Sequence, residues 1–411
     1  MARPNAASLD YEKEYMNRVV IVGAGVTGLS TAYHLAKKRF GQIILIDKGP
    51  VGDGSSQRAA GIITGLLWNE AGILVRKRCF TLYRELSEEL SGYEFQQVGC
   101  LNLFSTDSWP EREKLLPLYD RLGAPYEILS SKEIATRWPA LRVPSDVTGL
   151  YDPLGGYSEP SEYIPALKRR VLELGVEIRE GEQVTGFEVN NGAITGVKTE
   201  KGPIGADVVV STVYSWTRAL LQTIGLELAV KCFVHQRYVT APLPFPINIP
   251  AVNANPYDGY FRPALSGRLL AGLETADREE YLVESLDFHL SQVSTPPDLA
   301  SGLRKRLLPL LPALGSVNFE SEKVGLLTFS MDGEPILGPL QEFPGLILGL
   351  AFHSGGFAYN PGTGELLAEY VSEGRTSIDV SSWSPNRFDA AETKAYLAQT
   401  IQQKDIAKRR H

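Results

Sequence analysis

A chain of 411 residues exceeds what one hydrophobic core ordinarily organises, so at least two domains are expected. With 43% hydrophobic and 22% charged residues, the composition is that of a folded globular protein and excludes a mainly disordered or fibrous chain. A net charge of −7 gives no broad attraction for phosphate backbones, which argues against nucleic acid as a partner.

The stretch before Arg18 is polar and contains Asp10, Glu12 and Glu14. No run approaches the roughly 18 to 20 apolar residues of a membrane span, so neither a signal peptide nor a membrane anchor is expected, and a cytoplasmic location is. Cys79, Cys100 and Cys232 lie far apart without a CxxC pair, the pattern of buried reduced thiols rather than of a disulfide framework or a metal site. The basic residues from Lys404 to His411 read as a solvated tail.

From Arg18 the chain reads RVVIVGAGVTGLSTAYHLAKKRFGQIILIDKG. Val19 to Val22 is a continuous β-branched run, as expected of a parallel strand covered on both faces. Gly23, Gly25 and Gly28 follow at GxGxxG spacing: the first for a sharp turn, the second for close approach of a pyrophosphate, the third for helix packing on the strand. Leu29, Ala32, Tyr33, Leu35 and Ala36 continue with helical spacing, and the strand Ile43 to Ile46 ends in Asp47, an acid placed to accept hydrogen bonds from ribose hydroxyls. Strand, turn, helix and acid agree on a dinucleotide; this unit alone leaves FAD and NAD both open.

A second cluster of small residues, Gly54 to Gly61, either serves the same ligand or merely packs. Ser161 to Leu174 has the pattern of an amphipathic helix, with Ser158 or Ser161 as cap and Gly175 as stop. Asn191-Gly192 marks a hairpin turn, Asp207 to Thr212 is a strand, and Ala241 to Pro250 is proline-rich. Near the far end, Leu346 to Leu350 is another apolar strand, Ser354-Gly355-Gly356 a tight turn and Pro361 to Ser372 a helix. Free N–H groups and a positive dipole end at such a turn suit a ring that becomes anionic on two-electron reduction, as a flavin does.

Taken in order, VGAGVTGLSTAYHL, GSSQRAAGI, ADVVVSTVYSW and DGEPILG with GLAFHSGGFAYNPGTGELLAEYV resemble the D-amino-acid-oxidase superfamily of FAD-dependent oxidoreductases, from residue 18 to about 375. The nearest branch is that of sarcosine oxidase β-subunits, dimethylglycine dehydrogenases and glycine oxidases. The resemblance implies a discontinuous α/β, Rossmann-like FAD domain (17–90, 151–225 and 321–380), an α+β substrate domain with an antiparallel sheet (91–150 and 226–320), and a C-terminal extension (381–411). It implies FAD held by Gly23, Gly25, Val26, Thr27, Gly28, Asp47 and Lys48, by Ser55, Ser56, Gln57, Arg58, Ala59, Ala60 and Gly61, by the backbone of Val184, and by Gly355, Gly356, Phe357 and Ala358 at the pyrimidine edge.

The implied reaction is oxidation of a C–N bond of a secondary or tertiary amine or amino acid, with dioxygen or another acceptor taking the electrons. An electron-transferring subunit of a larger amine or proline dehydrogenase, and a flavoprotein scaffold with little turnover, are the alternatives, and a homo- or hetero-oligomer is compatible with each. The chain also departs from its relatives. Where they keep a cation for a substrate carboxylate, it has Leu327, Ala358 and Thr64. Either another residue holds the carboxylate or the substrate has none in that position; Arg262, with Tyr260 beside it, is the first replacement to test, against the alternative of a surface ion pair. Arg58 and Gly325 stand where relatives attach FAD covalently, so a non-covalent cofactor is expected; Leu270 stands where some keep an oxygen-activating lysine. Tyr214 replaces a glycine common in relatives. His353 lies beside the late glycine turn and serves either the substrate or the structure; no histidine has metal-binding spacing, so no metal is expected.

Overall fold

The computed structural model describes residues 17–273, 278–295 and 297–406. The polar N-terminal stretch before Asn17, Glu274 and the tail beyond Ile406 lie outside them. Strand β1 (Arg18–Val22) runs into helix α1 (Val26–Lys37) and then strand β2 (Gln42–Asp47), which ends on the acid that closes the motif. These strands are the centre of a six-stranded sheet ordered Ile336–Pro339, Leu346–Leu350, Val208–Ser211, β1, β2 and Glu177–Glu180. Five strands are parallel; Ile336–Pro339 runs antiparallel at the edge.

Helix α1 packs against the helix Gly356–Glu373, which begins five residues before the Pro361 start expected from sequence. The helices approach so closely that a Cβ at Gly364 would come within 2.3 Å of Ser30 Oγ. Pro361 has no N–H for the carbonyl of Phe357 one turn back; Tyr83 Oη and Asn360 Nδ2 donate to it instead, each at 2.5 Å. Helix α2 (Glu70–Glu89) lies alongside, and Pro160–Glu173 forms the other expected helix. The latter starts behind Glu159 with Pro160 in its first position; neither Ser158 nor Ser161 caps it.

The second large sheet has eight strands in the order Phe319–Ser330, Val230–Thr240, Arg268–Leu273, Gly259–Ala264, Ala251–Ala254, Cys100–Ser105, Val147–Asp152 and Glu127–Leu129. Every neighbouring pair is antiparallel except Ala251–Ala254 with Cys100–Ser105. Phe319–Ser330 pairs along its length with Val230–Thr240, so residues 321–330, expected with the cofactor unit, lie in this sheet. Its long-range partner was invisible to local pattern. Three antiparallel strands, Val184–Asn190, Ala193–Thr199 and Gly202–Gly205, form a separate small sheet whose first turn places Asn191 and Gly192 at φ 50° and 80°.

The described part of the C-terminal extension packs back onto the rest. Trp383 is fully buried with its ring edge-on to Tyr359, Arg387 pairs with Asp332 at 2.8 Å, and Gln403 N–H donates to the carbonyl of Arg278 at 2.8 Å. All three cysteines are buried, and burial raises their thiol pKa values, that of Cys79 to about 12. No helix among the described residues is long and apolar enough to cross a membrane.

Candidate active site

A continuous cavity of about 280 Å³ runs between the two sheets. At one end are Gly23, Gly25, Val26 and Thr27, with Asp47 and Val184; in the middle are Ser55, Ser56, Arg58, Ala59, Ala60 and Gly61; the late turn contributes Gly355, Gly356 and Phe357. Segments separated by more than 300 residues thus line one space, as an elongated ligand requires.

The glycine turn has the shape the motif predicts. Gly23 has φ 100°, and a Cβ at Gly28 would stand 1.9 Å from the Gly23 carbonyl oxygen. Gly28 therefore packs behind the turn and does not line the cavity. Asp47 is held by Ala24 N–H at 2.7 Å and Gly49 N–H at 2.9 Å, one on each carboxylate oxygen. Burial raises its pKa while those two donors oppose the rise. Each oxygen keeps a lone pair for a ribose hydroxyl. Lys48 lines the cavity, but its ammonium donates to the carbonyls of Leu286 and Phe288, both at 2.6 Å, and lies 4.4 Å above the Trp216 ring. It fastens the segment crossing the adenosine end.

The central cluster forms a short 3₁₀ turn, Ser55–Arg58. Ser56 Oγ accepts from Val26 N–H at 3.0 Å and so joins the cluster to the glycine turn. Gln57 does not line the cavity; its carbonyl, like that of Arg58, accepts from the buried Arg237. Ala358 is likewise behind the wall, in the buried first turn of its helix. A Cβ at Gly325 would meet Arg58 Cδ at 3.2 Å, so these two residues face each other.

Arg262 does not reach the cavity. It is completely buried and pairs with Glu159 at 2.9 Å; its Nε donates to the carbonyl of Ala60 at 2.6 Å, and its guanidinium lies 4.4 Å over Tyr157. A charge already answered by a carboxylate has little left for a substrate, so Arg262 positions Ala60 instead. This corrects the expectation of a carboxylate anchor. The ion-pair alternative was right about the partner and wrong about the surface.

Tyr260 does line the cavity, with Asn253 from the adjacent roof strand and His235 from the next strand but one. Tyr260 Oη donates to the carbonyl of Gln236 at 3.2 Å and lies 2.8 Å from His235 Nε2. With the phenol proton committed to that carbonyl, His235 Nε2–H is the donor to Oη. His353 also lines the cavity, at φ 44°, its ring stacked against Phe329 at 5.9 Å. Tyr214 adopts the left-handed conformation that favours glycine, φ 51°, and its Oη donates to the His353 carbonyl at 2.6 Å. Thr64, Leu67, Arg76 and Leu327 complete the wall around the late turn. Asp152 fixes Thr64 and Gly65, accepting from Thr64 Oγ1 at 3.1 Å and Gly65 N–H at 2.6 Å; burial pushes its pKa up to about 6.

His235, Asn253 and Arg76 were not singled out from sequence. The first two come from strands paired by long-range contacts, and Arg76 sits in a helix where only a count of residues on the inward face would have flagged it.

A glycine-hinged nucleotide fold whose cavity continues beneath an eight-stranded roof to a second glycine turn is the architecture of a flavin-dependent oxidoreductase, and the cradle at Gly23, Gly25 and Asp47 fits the adenosine diphosphate half of FAD. A family model described as FAD dependent oxidoreductase (DAO) matches residues 18–370, and the chain belongs to that family. It is 27% identical over 377 residues to 4-methylaminobutanoate oxidase (formaldehyde-forming) of Paenarthrobacter nicotinovorans, covering 90% of this chain and 45% of that one. It is 28% identical over 380 residues to glycine oxidase of Pseudomonas putida, covering 90% and 98%. The chain spans less than half the length of several of the curated relatives it matches. The crystal structure of L-proline dehydrogenase from P. horikoshii superposes with a TM-score of 0.83 at 26% identity, covering 92% of this chain and 98% of that one.

Proposed function

We propose that the protein oxidises a C–N bond of a secondary or tertiary amine or amino acid of sarcosine type to an imine, which water then hydrolyses, and that it holds FAD without a covalent link. When bound, FAD supplies a two-electron acceptor at N5 for the hydride leaving the α carbon. The observation that carries the reading is the single cavity joining the nucleotide cradle to the roof pair His235–Tyr260. Similarity to an oxidase of a methylamino acid and to a glycine oxidase supports the substrate class.

The chain's own residues would work as follows. Gly23 and Gly25 seat the pyrophosphate, Asp47 orients the ribose, and the cluster around Ala60, braced from behind by Arg262, fixes the central part of the ligand. The roof lies over the amine and excludes water, while His235, its Nε2–H donated to Tyr260, would receive the ammonium proton at Nδ1 so that the nitrogen lone pair is available as the C–H bond breaks. Holding the bound amine in one fixed orientation does the remaining work. The test is anaerobic mixing of the FAD-loaded protein with sarcosine, dimethylglycine, glycine, proline and larger N-methylated amines. Loss of the flavin absorbance with at least one is expected; none bleaching it refutes the reading. Reoxidation with and without dioxygen then identifies the acceptor class.

A further inference from the structure

The inner face of the roof carries a row of amides whose polarity is fixed from one end. Asn102, Asn253 and Tyr260 stand opposite one another on three neighbouring strands, Cys100–Ser105, Ala251–Ala254 and Gly259–Ala264. Asn102 is also opposite Leu150, whose backbone carbonyl can only accept. Asn102 Nδ2 donates to that carbonyl at 3.3 Å, which leaves Asn102 Oδ1 to accept from Asn253 Nδ2 at 2.8 Å. The second hydrogen on Asn253 Nδ2 goes to Cys100 Sγ at 3.6 Å. Both hydrogens of the amide are thus committed inside the roof, and Asn253, only 3% exposed, presents Oδ1 to the cavity it lines. No donor among the described residues reaches that oxygen. A buried acceptor left without a donor destabilises the empty protein, and a ligand that brings an N–H removes the cost.

Its neighbours say where that N–H belongs. Residues directly opposite on antiparallel strands have Cβ atoms roughly 4.5 to 5.5 Å apart, so Asn253 stands beside the Tyr260 ring. That ring crosses Gly272, where a Cβ would come within 2.1 Å of Oη, to meet His235 at 2.8 Å. The roof therefore offers a base on one side of the phenol and an uncharged acceptor on the other. A protonated secondary amine has two N–H bonds. One proton passes to His235 Nδ1; the other hydrogen stays on nitrogen and needs an acceptor under a roof that excludes water. A tertiary amine keeps no N–H once it is deprotonated, and Asn253 Oδ1 is then left unanswered.

We infer that Asn253 Oδ1 accepts the N–H that remains on the substrate nitrogen, and that the protein therefore selects primary and secondary amines over tertiary ones. This rests on the amine-oxidising reading above and narrows it. Asn102 is a positioning residue: it holds the Asn253 amide so that oxygen and not nitrogen faces the ligand.

The test takes an amine that bleaches the flavin of the FAD-loaded protein and compares its N-methyl and N,N-dimethyl forms, sarcosine and dimethylglycine being the first pair. A kcat/KM about 30-fold higher for the secondary amine is expected. Asn253→Leu, similar in volume, should bring the two within about 3-fold of each other by slowing the secondary amine alone. Asn102→Leu, which frees the Asn253 amide to turn, should slow the secondary amine about 10-fold, and it stands in should Asn253→Leu fail to retain FAD. Equal rates on the two forms in the parent overturn the inference. So does an equal loss on both in whichever variant retains FAD, as a structural role would give, or a gain for the tertiary amine with the secondary unchanged, as steric exclusion would give. Binding is read without turnover from perturbation of the flavin spectrum by α-aminoisobutyrate, which has N–H bonds and no α C–H, and by glycine betaine, which has no N–H. Asn253→Leu should weaken the first about 30-fold and the second by less than about 3-fold. A panel in which no amine bleaches the flavin, with α-aminoisobutyrate binding still dependent on Asn253, refutes the amine oxidation and leaves the acceptor standing. Binding of α-aminoisobutyrate indifferent to Asn253 overturns the inference whatever the panel shows.

Discussion

Removing one partner of the Glu159–Arg262 pair should unfold the protein more readily and loosen FAD, with no effect confined to carboxylated substrates. The pair is buried, with side chains 10% and 0% exposed and 2.9 Å between charged atoms. Breaking such a pair from one side typically costs about 3 to 5 kcal/mol, because the remaining charge is stranded in a medium that solvates it poorly. Arg262→Met also removes the donor to the Ala60 carbonyl, a hydrogen bond to a charged group that adds about 1.5 to 3 kcal/mol, partly overlapping the first figure. Glu159→Gln keeps the shape and an acceptor oxygen and should fall below that range, at about 2 to 3 kcal/mol. The double variant Glu159→Leu with Arg262→Met strands no charge and should recover more than half of the loss, a coupling that a double-mutant cycle measures directly. Equilibrium urea unfolding gives the stability differences, and the fraction of FAD retained after gel filtration reports the loop around Ala60. If Arg262→Met left both unchanged and raised KM only for carboxylated substrates, Arg262 would be the substrate anchor and the reasoning would be wrong.

His34 is buried, its Nε2 3.0 Å from the Pro361 carbonyl, and burial holds its pKa down to about 4, against an ordinary value near 6.5. Its contribution is complete above pH 6.5 and is lost as the pH falls toward 4, a depression of 2.5 pH units or about 3 kcal/mol; replacing it by Gln should flatten that part of the urea-stability profile, and an unaltered profile would exclude His34 as its source. At Tyr214, φ 51° costs about 1 to 2 kcal/mol, and its hydrogen bond to His353 returns about 1. Tyr214→Phe should therefore lose about 1 kcal/mol, Tyr214→Gly should stay within about 1 of the parent, and Tyr214→Val, β-branched at positive φ, should lose about 3 or more; a well-tolerated valine contradicts the strain account. Gly28→Ala drives a Cβ to 1.9 Å from a backbone carbonyl, so FAD should no longer co-purify and stability should fall by roughly 3 kcal/mol or more; yellow, stable protein would mean the turn can shift.

The parts of this molecule legible in sequence are those fixed by neighbouring residues. The turn at Gly23 needs positive φ, the continuous apolar runs set β1 and β2, and Asn191-Gly192 dictates its hairpin, each within a dozen residues. The roof was harder. His235 meets Tyr260 only because Val230–Thr240 and Gly259–Ala264 both flank the strand Arg268–Leu273, pairings that depend on the whole sheet. Arg262 shows the same limit from the other side: an arginine on an alternating strand looks available until Glu159 arrives from a distant helix start to neutralise it. Gln57 and Ala358 fall within motif blocks yet face backward, since a motif gives the path of the backbone and not the side each residue turns toward.

The cavity wall is assembled from stretches that begin at Val22 and end at Phe357. During synthesis the nucleotide cradle leaves the ribosome long before the late turn exists, so a nascent chain can offer FAD only half a berth. Complete loading waits until the chain through Phe357 has emerged, and until FAD binds the newly made protein depends on its own packing alone. Cofactor supply then sets how much of each batch survives quality control: by mass action, free FAD at a hundred times its dissociation constant adds about 2.7 kcal/mol, enough to decide between accumulation and proteolysis.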